Sequence, residues 1–224
     1  MKFKAALFDL DGTLCHLATD FWLLFDNACY QVFGPELPFE VLKLREFFTV
    51  YSNQNGPVDA VGVINAGLRS FGLNYPAAPS RIVRELLTNY TAATEFVPGA
   101  LEVLDALRTR GFKLGMVTNG PEDMQKATIL HLNLKEKFDR IVISGMPDIG
   151  IRKPDPRIYE VALERIGAVA ADSFFVGDRL DTDILGALRA NLYAIWFNPT
   201  GRGLLPTDPH PDAVISDLKQ LFDL

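Results

Sequence analysis

Acidic side chains follow two apolar runs in this 224-residue chain, at the point where each run ends. Asp9 and Asp11 come directly after the run 5–8, and Asp178 follows the run 173–176. Short apolar runs that end in glycine or aspartate are typical of buried strands. Because ligands bind at the carboxyl ends of strands in open parallel sheets, we expect these carboxylates to meet at one sheet edge.

Other polar groups follow the remaining predicted strands in the same way. Thr118 and Asn119 come after the strand predicted at 113–117, and Lys153 lies in the loop after the strand predicted at 140–144. Asp183 follows Asp178 by five positions. A single aspartate in such a place is often only a turn former or a helix cap. Their occurrence at consecutive strand ends favours a functional site.

The predicted site carries more negative than positive charge. Asp9, Asp11, Asp178 and Asp183 cannot all be ionised together in a partly buried site without a counter-charge, and Lys153 alone does not balance them. A divalent cation supplies that charge, and Mg²⁺ suits a few carboxylates, water and a substrate phosphate. The sequence therefore predicts a Mg²⁺ site.

The elements around these residues predict an α/β fold with a doubly wound, Rossmann-like parallel sheet and an inserted α-helical domain. Beyond residue 98, strands predicted at 113–117, 140–144, 173–176, 192–197 and 213–215 alternate with helices, as in βαβ units. Between residues 19 and 93 the pattern predicts only helices, the last of them with Ser80 as its N-cap. We therefore expect a core of residues 1–14 and 96–224 and a helical cap of residues 15–95.

Composition excludes several classes of protein. The chain has 22 basic and 28 acidic residues, a net charge of −6, which argues against nucleic-acid binding. No run of 18 apolar residues predicts a membrane span. The two cysteines, Cys15 and Cys29, form no metal or disulfide pattern, as expected for a cytoplasmic protein. We expect a monomer or homodimer that acts on a small molecule.

Taken together, four segments resemble the four motifs of the haloacid dehalogenase-like hydrolase superfamily. In chain order they are Asp9-Leu10-Asp11-Gly12-Thr13, Thr118-Asn119-Gly120, Lys153-Pro154 and Gly177-Asp178 with Asp183. The helical insert between the first two motifs looks like a cap of that superfamily. The C-terminal part looks like its phosphatase and nucleotidase members. The resemblance implies a phosphatase with a Mg²⁺ cofactor.

The resemblance also implies a role for each motif residue. Asp9 would be the nucleophile that forms an aspartyl-phosphate, and Asp11 would be the acid and base. The residues implied to bind phosphate are Thr118, Asn119 and Lys153. Those implied to hold the metal are Asp9, Asp11 (through its carbonyl) and Asp178. Asp183 would support metal-bound water or orient Lys153.

The expected function is hydrolysis of a small phosphomonoester, with a nucleoside 5′-monophosphate or a sugar phosphate as substrate. Asp11 favours phosphoryl transfer over carbon–halogen cleavage, because a halide leaves without a proton. Two alternatives remain open: a phosphosugar mutase of the same superfamily, and a non-catalytic phospho-accepting regulatory module.

Three residues beside the motifs carry further expectations. Trp22 follows the first motif and is expected in the substrate pocket, where an aromatic side chain would fit a nucleobase. Arg152 and Arg179 flank motif residues and are expected in solvated positions.

Overall fold

The computed structural model describes residues 3–223, so residues 1, 2 and 224 of the expected core lie outside the described range. Six strands form one parallel sheet in the spatial order β5-β4-β1-β6-β7-β8. Their bounds are β1 Ala5–Phe8, β4 Lys113–Thr118, β5 Arg140–Ile143, β6 Ser173–Gly177, β7 Tyr193–Phe197 and β8 Ala213–Ile215. The predicted α/β fold with a doubly wound parallel sheet is confirmed.

Helices cover both faces of this sheet. They are α5 Ala100–Thr109, α6 Glu122–His131, α7 Pro156–Ile166 and α8 Leu185–Arg189, followed by a 3₁₀ segment at Leu218–Asp223. Strand side chains alternate between faces, so Ala6 and Phe8 pack in one apolar cluster while Ala5 and Leu7 pack in the other. Burial on both faces explains why these strands are continuously apolar in the sequence.

Four helices form the insert between β1 and β4: α1 Phe21–Phe33, α2 Val41–Ser52, α3 Ala60–Ser70 and α4 Ala78–Ala92. Asp20 caps α1 by accepting a hydrogen bond from the Leu23 N–H at 2.9 Å, and α1 ends at Gly34, whose φ is 83°. The four helices share a third apolar cluster built around Phe25, Leu44 and Ile64. The same cluster includes Met124, so the apolar core of the insert continues onto α6.

The structure corrects two details of the sequence-based prediction. Ser80 is not the N-cap of α4, because that helix begins two residues earlier, at Ala78, with Pro79 in its first turn. Two short strands were not predicted: β2, Cys15–Leu17, and β3, Thr94–Phe96, which pair antiparallel at the two ends of the insert. Three residues are too few to show the alternation by which strands are recognised.

The helical insert contacts the core along a seam formed by residues 53–61 of the insert and residues 122–123 and 145–152 of the core. The Gly56 N–H donates to the Gly150 carbonyl at 2.9 Å, and the Val58 N–H donates to the Gly145 carbonyl at 2.9 Å. Asp123 accepts hydrogen bonds from the N–H groups of Ala60, at 2.8 Å, and Val61, at 3.3 Å. The hydrogen bonds of Asp123 join α3 of the insert to α6 of the core. No helix within residues 3–223 has the length and apolar character that a membrane crossing requires.

Candidate active site

The carboxyl ends of β1 and β6 bring four aspartates and one lysine together, as expected from the sequence. The Lys153 ammonium lies between two of them, 2.5 Å from Asp9 Oδ1 and 2.7 Å from Asp183 Oδ1. All three side chains are almost completely shielded from solvent. A buried ammonium held between two carboxylates has little freedom to move, so Lys153 is fixed beside the end of β1.

Two glycines leave room for two of the carboxylates. A Cβ atom on Gly12 would lie 2.4 Å from Asp178 Oδ2, and a Cβ atom on Gly177 would lie 2.6 Å from Asp183 Oδ2. Gly12 also has a φ of 83°, in the region that favours glycine. Any other residue at position 12 would therefore displace Asp178 and strain the turn after β1.

Three of these aspartates form a group that could hold a metal ion. One oxygen from each of Asp9, Asp178 and Asp183 lies within 4.8 Å of the others. Asp178 Oδ1 is buried and has no hydrogen-bond partner among the described residues. A buried acceptor without a donor is unfavourable unless a cation or water completes it. The donor set consists of carboxylate oxygens, which a hard divalent cation prefers, so the residues present fit such an ion.

Burial and mutual repulsion determine the ionisation of this group. Burial and the neighbouring Asp183 raise the pKa of Asp9, while Lys153 opposes that shift. Burial, together with Asp183, raises the pKa of Asp178 to about 6. Burial lowers the pKa of Lys153, but Asp183 and Asp9 more than offset that effect and raise it to about 12. The cluster thus contains more carboxylate charge than its lysine neutralises.

Asp11 has different surroundings from Asp9. Gln125 Nε2 donates a hydrogen bond to Asp11 Oδ2 at 2.8 Å, and the Tyr90 hydroxyl lies 3.4 Å from Asp11 Oδ1. Burial raises the pKa of Asp11, whereas the Gln125 hydrogen bond lowers it. Neither Lys153 nor another carboxylate forms an ion pair or hydrogen bond with the Asp11 side chain in residues 3–223. Asp11 is therefore suited to hold and release a proton.

Asn119, which follows β4, holds the backbone of Lys153 through two hydrogen bonds. Asn119 Nδ2 donates to the Lys153 carbonyl at 3.0 Å, and the Lys153 N–H donates to Asn119 Oδ1 at 2.9 Å. The Thr118 hydroxyl accepts a hydrogen bond from Gln125 Nε2 at 2.6 Å. These contacts tie the end of β4 to the lysine loop and bring Thr118 and Asn119 into the lining of the same cavity.

That cavity has a volume of about 410 Å³ and contains most of the expected site residues. Its lining consists of Asp9, Asp11, Asn53, Thr118, Asn119, Arg152, Lys153, Arg179, Thr182 and Asp183. Asp178 lines the adjoining cavity of about 470 Å³, together with Gly12 and Trp196. The Trp196 indole N–H donates to the Asp178 carbonyl at 2.9 Å, which fixes the backbone between the two cavities.

Trp22 does not have the position expected for a substrate-pocket residue. Its ring packs against Phe25 and Phe48 in the cluster of the insert, with the Arg45 guanidinium 5.7 Å from its centre. Trp22 is absent from the lining of the cavity of about 410 Å³. Phe21 lies closer to the site, since its ring contacts that of Tyr90 at 6.0 Å. The aromatic side chains of α1, Phe21, Trp22 and Phe25, thus belong mostly to the apolar cluster of the insert.

The structure agrees with the expected solvated position of Arg179 but not with that of Arg152. Arg179 is exposed and pairs with Asp181 at 2.8 Å, as expected for a solvated side chain. For Arg152 the expectation is wrong. Arg152 Nη1 donates to the Ser52 carbonyl at 2.8 Å, and Nη2 donates to Asn53 Oδ1 at 2.9 Å. Arg152 therefore crosses the seam and reaches the loop after α2.

Sequence reasoning did not identify Gln125 and Tyr90, which contact Asp11, or Asn53 and Thr182, which line the cavity. Gln125 is only 4% exposed, although it occupies a helix with solvent on one side. The available signal was a polar residue between the apolar positions Met124 and Ile129 of the helix that follows β4. Tyr90 lies on α4, and nothing in its helical spacing indicated that its hydroxyl reaches Asp11.

Comparison with known proteins agrees with this geometry. The model of the haloacid dehalogenase-like hydrolase family matches residues 3–191. A phosphoserine phosphatase of Thermus thermophilus is 37% identical over 127 residues, which cover 56% of this chain and 49% of that protein. A glyceraldehyde 3-phosphate phosphatase of Pyrococcus abyssi is 30% identical over 210 residues, covering 87% and 81%. The Escherichia coli pyrimidine 5′-nucleotidase YjjG is 29% identical over 172 residues, covering 76% and 75%.

A solved structure extends the similarity to the whole chain. The 2-haloacid dehalogenase from Pseudomonas syringae superposes with a TM-score of 0.76 at 26% identity, covering 99% of this chain and 97% of that one. The proteins similar to this chain thus include both phosphatases and a dehalogenase. The contacts of Asp11 bear on which of these reactions the chain performs.

Proposed function

The chain belongs to the haloacid dehalogenase-like hydrolases, and we propose that it is a Mg²⁺-dependent phosphatase that hydrolyses a small phosphomonoester through an aspartyl-phosphate. The observation that carries the proposal is the contrast between Asp9 and Asp11. Asp9 is paired with the Lys153 ammonium, which favours its ionised form, whereas Asp11 accepts hydrogen bonds from Gln125 and Tyr90 and pairs with no cation among the described residues. The nucleophile must be an ionised carboxylate, and an alcohol leaving group needs a proton from an acid.

In the first step, an Asp9 carboxylate oxygen attacks phosphorus, and the bond between phosphorus and the ester oxygen breaks. Asp11 gives its proton to that oxygen, so the product leaves as an alcohol. In the second step, Asp11 takes a proton from water as the water oxygen attacks phosphorus, and the Asp9–phosphorus bond breaks. Free phosphate leaves, and Asp9 returns as a carboxylate.

The remaining residues position and neutralise the phosphoryl group. Lys153, the Thr118 hydroxyl and the Asn119 backbone N–H would bind its oxygens, and Asp183 orients Lys153 through their ion pair. Asp9, the Asp11 carbonyl and Asp178 would hold Mg²⁺, for which the unpartnered Asp178 Oδ1 is a suitable ligand. Bound Mg²⁺ would supply positive charge that offsets the developing negative charge.

The similarity to a 2-haloacid dehalogenase structure does not imply that this chain cleaves carbon–halogen bonds. Halide leaves as an anion, so carbon–halogen cleavage does not need the acid that Asp11 provides. The phosphatases among the relatives support hydrolysis of phosphomonoesters, and the nucleotidase keeps a nucleoside 5′-monophosphate among the candidate substrates. Because Trp22 packs in the core of the insert, the aromatic argument for a nucleobase no longer supports that choice.

We further propose that residues 15–95 act as a cap over a core of residues 1–14 and 96–224. Support comes from the apolar cluster that the four helices of the insert share and from β2 and β3, which pair where the insert leaves and rejoins the core. A cap that closes over bound substrate would exclude water from the first step. Two free, buried cysteines are consistent with a cytoplasmic enzyme, which we propose acts as a monomer or homodimer.

Turnover of p-nitrophenyl phosphate by the purified protein tests the proposal. We expect hydrolysis that depends on added Mg²⁺, is lost with a chelator and is lost in Asp9→Asn. With Asp11→Asn we expect one equivalent of nitrophenol in a burst, followed by slow turnover, because nitrophenolate leaves without a proton but water still needs a base. Intact-mass measurement of that variant should show one added phosphoryl group.

Related measurements separate the phosphatase from the two alternatives. A wild-type protein that keeps the phosphoryl group without turnover would instead be a phospho-accepting regulatory module. Interconversion of hexose 1- and 6-phosphates that is faster than their hydrolysis would make it a mutase. Equal inactivity of wild type and Asp9→Asn towards a panel of phosphomonoesters, with Mg²⁺ present, would contradict the proposal.

A further inference from the structure

Arg152 is a cation in the catalytic cavity that the proposed chemistry does not use. The cavity lining contains three basic residues. Lys153 is paired with Asp9 and Asp183, and Arg179 is paired with Asp181. Within residues 3–223, no carboxylate lies within ion-pair distance of Arg152. Arg152 therefore presents its positive charge to the cavity without an acidic partner.

The hydrogen bonds of Arg152 leave part of its guanidinium free. Nη1 donates to the Ser52 carbonyl at 2.8 Å and to Ser144 Oγ at 3.3 Å, while Nη2 donates to Asn53 Oδ1 at 2.9 Å. These three neutral acceptors use three of the five N–H groups of a guanidinium. The Nε–H and one Nη2–H have no partner among the described residues. These contacts fix the planar group and leave donors for a ligand.

Burial makes this arrangement unfavourable in the absence of an anion. Arg152 is about half-buried at the seam, and burial alone lowers its pKa, with no acidic group acting to raise it. A buried charge is ordinarily paired. A planar guanidinium also matches the two oxygens of a carboxylate. The unpaired cation therefore fits an anionic group that arrives with the substrate.

The position of Arg152 separates this anion from the phosphoryl group. Its neighbour in the chain, Lys153, faces Asp9 at the sheet edge, whereas Arg152 faces Ser52 and Asn53 of the insert. Both side chains line the same cavity of about 410 Å³. The two anionic groups of a ligand that contacts both side chains must therefore fit within that cavity, which favours a small molecule.

We propose that Arg152 binds the carboxylate of a short phosphorylated carboxylic acid and so selects this class of phosphomonoester. The inference rests on the proposed phosphatase function and narrows its substrate class. Arg152 is a specificity-determining residue, because it contacts the part of the substrate that does not react. Ser144 and Asn53 hold its guanidinium from the core and from the insert respectively.

A matched pair of ligands tests the carboxylate. D-3-phosphoglycerate and sn-glycerol 3-phosphate both have a phosphate on a three-carbon chain, but only the first has a carboxylate at the other end. We would measure their Kd values calorimetrically with the Asp9→Asn protein and Mg²⁺, so that binding is read without turnover. We expect phosphoglycerate to bind about 10- to 100-fold more tightly, as for hydrogen bonds to a charged group.

Substitution of Arg152 tests its part in that preference. In the Asp9→Asn background, Arg152→Gln should bring the ratio of the two Kd values close to one, and Arg152→Lys should retain part of it. Arg157→Gln removes the same charge from an exposed arginine that pairs with Asp155, and it should leave the ratio unchanged. Equal weakening of both ligands by Arg152→Gln would overturn the inference, as would a wild-type ratio near one.

Kinetics then distinguish this inference from the proposed function. With Asp9 present, the ratio of kcat/KM for the two substrates should fall in Arg152→Gln by the same factor as the ratio of Kd values. Absence of hydrolysis of both substrates and of the wider phosphomonoester panel, with the binding preference intact, would refute the phosphatase and not the carboxylate site. Hydrolysis of both at equal kcat/KM would refute the carboxylate site and not the phosphatase. A thermal midpoint for each variant identifies any that fails to fold.

Discussion

The sheet edge and the seam enclose the same cavity, but they are held by different interactions. At the sheet edge, buried ion pairs fix Lys153 against Asp9 and Asp183, and two glycines make room for carboxylates. At the seam, backbone hydrogen bonds and neutral contacts of Arg152 join the insert to the core. Breaking a buried ion pair leaves a stranded charge, whereas the seam groups can exchange their partners for water. Under the proposed function, the chemistry belongs to the sheet edge and substrate recognition to the seam.

The largest effect should come from the sheet edge. Lys153→Met removes the cation between two buried carboxylates, which should lower the free energy of unfolding by about 3–5 kcal/mol. It should also reduce kcat by about 100-fold or more, since a charge that stabilises the transition state is lost. Denaturant unfolding and kinetics measure the two effects. Lys126→Met, at an exposed lysine on α6 that pairs with Glu122, is the control and should change neither. A stable and active Lys153→Met protein would contradict the assigned rigidity.

A second effect at the sheet edge concerns space rather than charge. Gly12→Ala places a Cβ where Asp178 Oδ2 lies, so we expect Mg²⁺ affinity, read as the concentration for half-maximal activity, to weaken by about 10- to 100-fold. Gly201 has a φ of 68° and no atom within 4 Å of its ideal Cβ. Gly201→Ala therefore reproduces the backbone strain, about 1 kcal/mol, without the collision. If both variants required the same Mg²⁺ concentration, the close approach would be unimportant.

The third prediction concerns Asp11, which lies between the two regions. Gln125→Met removes a hydrogen bond that lowers the pKa of Asp11, so that pKa should rise further above its ordinary value. An acid with a higher pKa stays protonated to higher pH, so the alkaline limb of the pH profile of kcat/KM should move to higher pH. The rate at the optimum should fall by about tenfold, through lost positioning.

Tyr90→Phe provides the graded comparison for this shift. It removes the longer contact, at 3.4 Å, and should move the same limb in the same direction but by less. Movement of the limb to lower pH in either variant would show that Asp11 is not the titrating acid.

The smallest effect should come from the backbone hydrogen bonds of the seam. Asp123→Asn weakens the paired hydrogen bonds from core helix α6 to the first residues of α3, which should cost about 1 kcal/mol of stability. Activity towards a small substrate should change by less than about threefold, because no catalytic group is touched. Asp59→Asn is the matched control: Asp59 caps the same helix from within the insert, by accepting from the Gly62 N–H at 2.7 Å. Only Asp123→Asn should increase protease cleavage within residues 53–61.

The two regions also differ in how well the sequence predicted them. Asp9, Asp11, Asp178 and Lys153 could be placed at one edge because the period of the strands and the rule for parallel sheets determine where strand ends lie. The helices of the insert were predicted from their apolar stripes. The positions of Arg152 and Tyr90 were not predictable in this way, because their contacts depend on how the insert docks onto the core. Gln125 illustrates the same limit, since a helix pattern gives the buried face but not the acceptor that a buried amide reaches.

The hydrogen-bonded pairing of Asn119 with Lys153 has a consequence for the durability of the protein. Asn119 is followed by Gly120, a sequence in which the glycine nitrogen can attack the side-chain amide, close a succinimide ring and release ammonia. Here both amide atoms of Asn119 are engaged by the Lys153 backbone, and the Gly120 N–H is held by Ser144 Oγ at 3.0 Å. Ring closure would require all three contacts to break. We expect this asparagine to resist deamidation during long storage of the folded protein, and to lose that protection on unfolding.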